Sequence, residues 1–571
     1  MKKFLFIFFS MFLNVAMAQE MLPEHKLLQR LKLRVYRNFQ IPSASMTSEQ
    51  NGSVSMSKKL KGDVLPPSVG PLLSDQWDQY GALTRQTPLI DGKHTTVGCV
   101  ALAMSQVMHF WKYPICGTGS FTYDDSLGCK QVLTAKFYEH TYQWNKMLDI
   151  YREGEYTDEQ ADAGALLCSD CGISVKMRYG LDASGAQSVM QAVAMPKYFG
   201  YDDEEQIYFR DLYTKAEITQ MLKTELAKGR PVLMSGYNYN GGHAFVVDGY
   251  DENDWFHINL GNPDGPDDGD CWTPLDCMSP DMPKWTEVDS PESGLNLLQL
   301  FVMGAVPSTH PTASHRETHI YAMEGIEAVD TVSTDESGIM RICTHQLSNL
   351  GRSLHTDSVS IMLAKDDEIV DILYTFTHEF LLEEIDDTTY TDTIDIRLPD
   401  YLQKGTYHLT PMFKDNGEWI EVRTTTGTPN YLLLNVSEEK NVLSSDTANT
   451  AYLTLEDFDI PDLIINGSTP DVSITLKNHN CEISGRVYLL MEPLDESGKE
   501  FYLLQQGVTM QKDEVSTRRF HKTAIYAPKT GHYRLHFLYD SNLFSSELKE
   551  LTPETIEVSV LHSGVIEIAR R

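Results

Sequence analysis

Thr96-Val-Gly-Cys99-Val-Ala-Leu-Ala-Met-Ser-Gln-Val-Met108 puts a cysteine at the start of an apolar helix, and Gly241-Gly-His243-Ala-Phe-Val-Val-Asp-Gly-Tyr250 puts a histidine at the start of a buried strand. In the first stretch apolar residues fall at 100, 104, 107, 108 and 111, the spacing of a buried helical stripe. Thr96 is expected to cap that helix, with Cys99 in its first turn, where the helix dipole and free N–H groups favour a thiolate. Gly98 is expected to let a substrate backbone approach. In the second stretch two glycines before His243 and an alanine after it leave the imidazole uncrowded. A thiol at a helix start and an imidazole on a rigid strand make a nucleophile–base pair, the equipment of acyl transfer.

Two further residues complete a candidate site. Asn259 closes Trp255-Phe-His-Ile-Asn-Leu260, where strand alternation sets 255, 257 and 259 on one face. Its side-chain oxygen is expected to accept the His243 ring N–H and fix the tautomer. Gln79, in Trp77-Asp-Gln-Tyr80, offers a side-chain amide that, with a main-chain N–H at the helix start, would hold an oxyanion. Cysteine first, then histidine, then asparagine is the papain-like order.

The chain resembles the streptopain-type cysteine proteases. The stretches that carry the resemblance are Gly70-Pro-Leu-Leu-Ser-Asp-Gln-Trp-Asp-Gln79, Gly98 to Met108 with Tyr113-Pro114, Cys171-Gly-Ile-Ser-Val-Lys-Met-Arg-Tyr-Gly180, and Gly242 to Tyr250. The resemblance implies a papain-like fold over residues 66–305, with Cys99 as nucleophile, His243 as base and Gln79 in the oxyanion hole. It also implies export as a zymogen, as in members from Bacteroidetes that carry β-sandwich domains after the catalytic one. Where the family's strand continues Asn-Trp-Gly-Trp-Gly-Gly, this chain reads Asn259-Leu260-Gly261-Asn262-Pro263-Asp264. A leucine therefore stands where a tryptophan is expected to shield the catalytic histidine.

The expected function is that of an exported bacterial cysteine endopeptidase working through an acyl-enzyme on protein or peptide substrates. The competing readings are a protease homologue turned surface-binding protein, suggested by Leu260, and a cell-wall amidase using the same Cys–His chemistry. No cofactor or metal is implied, because no cluster of ligand residues shows zinc-like spacing apart from Cys168-Ser-Asp-Cys171, which reads as packing.

At 571 residues the chain needs several cores. Its net charge of −34 argues against nucleic acid and anionic membranes as partners. Residues 1–18 read as a signal peptide: Lys2-Lys3, an apolar run too short to span a bilayer, and Ala16-Met17-Ala18. The mature protein is thus expected to be secreted, periplasmic or at the cell surface. Residues 19–65 read as a short pro-segment or leader, 66–305 as the α+β papain-like domain and 306–317 as a linker crossed by few contacts, so that 66–305 would fold alone. Residues 318–440 and 441–571 read as two all-β, immunoglobulin-like sandwich domains. A weak repeat supports the pair: Gln346-Leu-Ser-Asn349 matches Thr475-Leu-Lys-Asn478, and Gly405-Thr-Tyr-His-Leu409 matches Gly531-His-Tyr-Arg-Leu535. Nine cysteines leave at least one unpaired, with 116/129, 168/171 and 271/277 as local couples.

Overall fold

The structure is a computed structural model. It describes residues 65–569 apart from 203–205, 239–240, 262–269, 278–297, 309–319, 323–324, 334–337, 350–354, 367, 381–389, 416–417, 495–500, 521–523, 527–528, 542–547, 552–555 and 562–563. The signal peptide, almost all of the leader and most of the linker lie outside the described residues.

Among the described residues four α-helices build the first unit: α1 (Cys99–Trp111), α2 (Asp158–Ser174), α3 (Met190–Phe199) and α4 (Lys215–Ala227). Helices α2 and α4 begin with capping boxes, in which Thr157 pairs with Gln160 and Thr214 with Glu217. Helix α1 starts differently. Its cap is Gly98 at φ +88°, with no side-chain cap, and Thr96 instead donates its hydroxyl to Ser184 at 2.9 Å. The expectation that Thr96 caps the helix is therefore corrected. The apolar stripe also understates the burial, because every residue from Val100 to His109 is buried. A helix buried all round is a core element, and α1 packs between α2 and the main sheet.

That sheet has six antiparallel strands: β1 (Gln206–Phe209), β2 (Val232–Asn238), β3 (Gly241–Tyr250), β4 (Trp255–Asn259), β5 (Asp270–Pro274) and β6 (Leu298–Met303). Their order is β1-β6-β2-β3-β4-β5. Strands β2, β3, β4 and β6 coincide with four short apolar runs of the sequence, Pro231-Val-Leu-Met234, His243 to Asp248, Trp255 to Leu260 and Leu297 to Met303. Val232, Leu233 and Met234, and likewise Ala244 through Val247, are buried on both faces of the sheet. Helices α1 and α4 both pack on these strands, which accounts for continuous apolar runs in place of alternation.

Beyond residue 320 all described elements are strands or turns. Each half holds two sheets packed on one core. In the first, Met340, Ile342, Ile394 and Ile396 meet Ile361, Leu363, Leu409 and Leu434. In the second, Leu453, Ile474 and Leu476 meet Val487, Leu489, Leu535 and Phe537. The weak repeat is a topological one. Gly405–Asp415 and Gly531–Asp540 hold the same place in two seven-stranded sheets of identical order. Ile339–Asn349 and Ser473–His479 each lie inside the smaller partner sheet. Tyr407 and Tyr533 even donate their hydroxyls to the same relative carbonyl, four residues upstream.

The three units are not joined loosely. Arg486, 1% exposed, reaches from the last unit to Asp211 of the first at 2.7 Å, and its guanidinium also faces Asp540 at 3.5 Å. Arg423 pairs with Glu217 at 3.1 Å and stacks on Tyr213 at 4.4 Å. Thr426 donates its N–H to the Asp211 carbonyl at 2.8 Å, and the Lys215 N–H donates to Glu482 at 2.7 Å. The linker composition gives no hint of this, because the crossing contacts come from residues far along each unit. Among the cysteines with described side chains, Cys99, Cys116, Cys129, Cys168, Cys171, Cys271, Cys343 and Cys481 are free thiols, so the couples 116/129 and 168/171 do not form. Cys168 and Cys171 share one helix and both point into the core.

Candidate active site

Cys99 is the first residue of α1 and only partly buried. Burial works against ionisation of its thiol. The hydrogen bond from His243, the imidazolium charge, and the main-chain N–H groups of Ala244 and Val100 outweigh it, so the pKa lies below the ordinary thiol value. Gly98 is required for a reason other than substrate access. Its φ of +88° suits glycine, and a Cβ there would sit 2.7 Å from the Met177 Sδ. Met177 thus props the turn that delivers Cys99.

His243 stands on β3 opposite Gly236 of β2. Its Nε2 lies 2.9 Å from the main-chain oxygen of Leu260. A carbonyl only accepts, so Nε2 carries the hydrogen and Nδ1 is the nitrogen left to face Cys99. Phe245 stacks on the ring from two residues along the strand, at 6.1 Å and 20°. Tyr237, next to Gly236, lays its ring over Gly242, where a Cβ would come within 2.4 Å of it. Burial, then the nearby Cys99 charge, pushes the Tyr237 hydroxyl up to about 12, so it stays neutral beside the thiolate.

Asn259 does not fill the orienting role expected of it. Its Oδ1 accepts from Gln106 Nε2 at 2.9 Å and from the Gly261 N–H at 3.1 Å, and its Nδ2 donates to the Asp75 carbonyl at 2.6 Å. The side chain is spent on pinning the turn that follows β4. That turn, completed by Gly261 at φ +65°, aims the Leu260 carbonyl at His243. The residue matters, but through the main chain of its neighbour. Leu260 itself is 8% exposed and belongs to the core. Asn262, Pro263 and Asp264 lie outside the described residues.

Gln79 is tied to the helix start through its main chain. Its carbonyl accepts the Val97 N–H at 3.0 Å, which ties it to the segment entering Cys99. The stretch before it is anchored along β3. Asp248 accepts the Leu73 N–H at 2.8 Å and bonds His257 at 2.6 Å, while its carbonyl takes the Leu72 N–H. Trp77, fully buried, donates its indole N–H to Leu148 at 2.8 Å. The chain thus places Cys99, His243 and the Gln79 main chain around the start of α1, with Asn259 one layer behind. Sequence reasoning missed the Leu260 carbonyl, Gln106, Met177 and Tyr237. The first has no side-chain signature, and the others read as ordinary core residues.

Residues 76–269 match the family model described as Peptidase C10 family. That stretch is similar to the Peptidase C10 family. Among the family's curated proteins, "Thiol protease/hemagglutinin PrtT" of Porphyromonas gingivalis is 34% identical over 207 residues, which is 34% of this chain and 24% of that protein. "Streptopain" of Streptococcus pyogenes is 32% identical over 217 residues, 35% of this chain and 54% of that protein. The solved structure of active wild-type Prevotella intermedia interpain A cysteine protease is 30% identical, with 42% of this chain and 96% of that one covered at a TM-score of 0.38. The chain therefore spans about half or less of the length of the curated C10 relatives it matches. Among the described residues no helix is long and apolar enough to cross a membrane.

Proposed function

We propose that this chain is an exported cysteine endopeptidase. The observation that carries the reading is the Cys99 thiol, hydrogen-bonded to His243 and held below its ordinary pKa, with the far nitrogen of the same ring fixed by the Leu260 carbonyl. The names of its C10 relatives, thiol protease and streptopain, support a peptide-hydrolysing role.

In this reading Cys99, ionised by His243, attacks the scissile carbonyl. The Gln79 amide and a main-chain N–H at the start of α1 hold the oxyanion. His243 passes its proton to the leaving amine, and water, deprotonated by the same imidazole, hydrolyses the acyl-enzyme. Residues 1–18 serve as the export signal, and 19–65 as a short pro-segment or leader. The two β units beyond residue 320 are read as immunoglobulin-like, a view the paired tyrosine-to-carbonyl bonds at Tyr407 and Tyr533 support. Their proposed role is attachment or substrate capture.

The test is casein and peptide turnover by the mature protein, wild type against Cys99→Ala. Turnover by wild type and none by Cys99→Ala supports the proposal. Equal turnover by both moves the activity elsewhere, and no turnover by a wild-type protein that still reacts with a thiol-directed epoxide favours a binding role.

A further inference from the structure

In the last turn of α1, ten residues past the thiol, His109 meets two other potential ligands. Asp75 is 3% exposed, His109 is 4% exposed, and Asp149 stands at the surface beside them. One donor atom from each lies within 4.8 Å of the other two. Asp75 Oδ1 bonds His109 Nδ1 at 2.6 Å, and its other oxygen, Oδ2, is buried without a partner. An unsatisfied carboxylate oxygen in a core costs free energy, and a second carboxylate nearby adds repulsion. Burial first, then the Asp149 charge, holds the Asp75 carboxyl above its usual range despite the opposing His109 bond.

The surroundings are rigid. The His109 ring stacks on Trp77 at 4.9 Å and lies 6.5 Å from Trp144. The Gln76 N–H donates to the Asp149 carbonyl at 2.8 Å, which locks the two ligand-bearing loops together. We propose that Asp75, His109 and Asp149 form a binding site for one divalent transition-metal ion. Two carboxylate oxygens and an imidazole nitrogen suit an ion of the Zn2+ or Mn2+ class, with water completing the shell. The ion enters past the exposed Asp149 and meets the orphaned Asp75 oxygen. The site is independent of the thiol chemistry. It touches the active site at one place, because the Asp75 carbonyl holds Asn259. An ion there stiffens the layer that carries the Leu260 turn.

The test uses the full chain carrying Cys99→Ala and Cys116→Ser, which removes the active-site thiol and the exposed free thiol as rival ligands. After chelator treatment, Mn2+ binding is counted from the loss of the free-ion paramagnetic resonance signal, and Zn2+ binding by calorimetry. One ion per chain is expected, with a raised unfolding temperature. Asp149→Asn, a surface change that spares the fold, is expected to weaken binding at least tenfold, while Glu153→Gln on the neighbouring acidic surface leaves it unchanged. No stoichiometric binding, a loss of less than tenfold in Asp149→Asn, or an equal loss in Glu153→Gln overturns the site.

Discussion

His243 rests its Nε2 on the main-chain oxygen of Leu260, seventeen residues on, while the adjacent Asn259 side chain turns away to Gln106, Gly261 and Asp75. The imidazole is therefore oriented by a peptide group whose position depends on a buried amide. Leu260→Ala keeps that carbonyl and is expected to lower kcat/KM less than tenfold. Asn259→Ala frees the turn and leaves the Gln106 amide unpaired. It is expected to lower kcat/KM by ten- to a hundredfold and to cost about 1–3 kcal/mol of stability. Peptide turnover together with thermal unfolding of the two variants checks this. Equal activity losses in both would mean that the leucine side chain, not the turn, positions the histidine.

The thiol of Cys99 is lowered by His243 and the main-chain N–H groups against the pull of burial. A nucleophile with a depressed pKa is thiolate at lower pH, so the alkylation profile lies to the acid side of a free cysteine. Reaction with iodoacetamide is expected to persist at a pH where a free cysteine has already slowed. In His243→Ala only the main-chain N–H groups still oppose burial, and the profile should move to the alkaline side of the wild type. The Cys99→Ala/His243→Ala double variant should turn over no less than either single one, because the pair acts as a unit. An unchanged alkylation profile in His243→Ala would rule out the ion pair.

Gly98 carries φ +88° with Met177 pressed against its open side. Gly98→Ala adds a left-handed penalty of about 1–2 kcal/mol and displaces Met177, so both stability and turnover should fall. Thr96→Ala removes a bond to Ser184 rather than a helix cap. It should cost about 0.5–1.5 kcal/mol and leave the thiol reactivity intact. Denaturant unfolding and alkylation rates of the two variants distinguish these outcomes. A Thr96→Ala protein with slowed alkylation would mean that Thr96 supports the helix start after all.

Arg486 and Asp211 form a buried pair across the junction between the first and last units. Removing one partner of such a pair strands the other charge at a cost of about 3–5 kcal/mol. Arg486→Met should therefore lower the unfolding temperature by several degrees, and a fragment of residues 66–305 should be less stable than the same region in the full chain. A fragment that melts at the temperature of the full protein would show that the junction adds nothing to the catalytic unit.

The sequence by itself determined that Cys99 opens a helix and His243 lies on a strand, that the region around them is similar to streptopain-type proteases, and that the β architecture beyond it repeats. Cys99 and His243 sit in local patterns, a helix start and a glycine-framed strand, whose meaning depends on residues within a few positions. Four of six sheet strands were visible as apolar runs. Gln206–Phe209 and Asp270–Pro274 were not, since the first is hemmed in by the charged residues at 202–205 and 210–211 and the second emerges from a stretch rich in Asp, Gly and Pro. Tertiary structure alone decided the rest. It gave the orienting role to the Leu260 carbonyl, a group every residue possesses and no sequence pattern marks. It turned Asn259 from a side-chain partner into a turn anchor, because competing buried donors at Gln106 and Gly261 claimed its oxygen first. It joined Asp75, His109 and Asp149, and Asp211 with Arg486, across separations that local reading does not reach, because long-range electrostatic neighbours are set by packing and not by spacing along the chain.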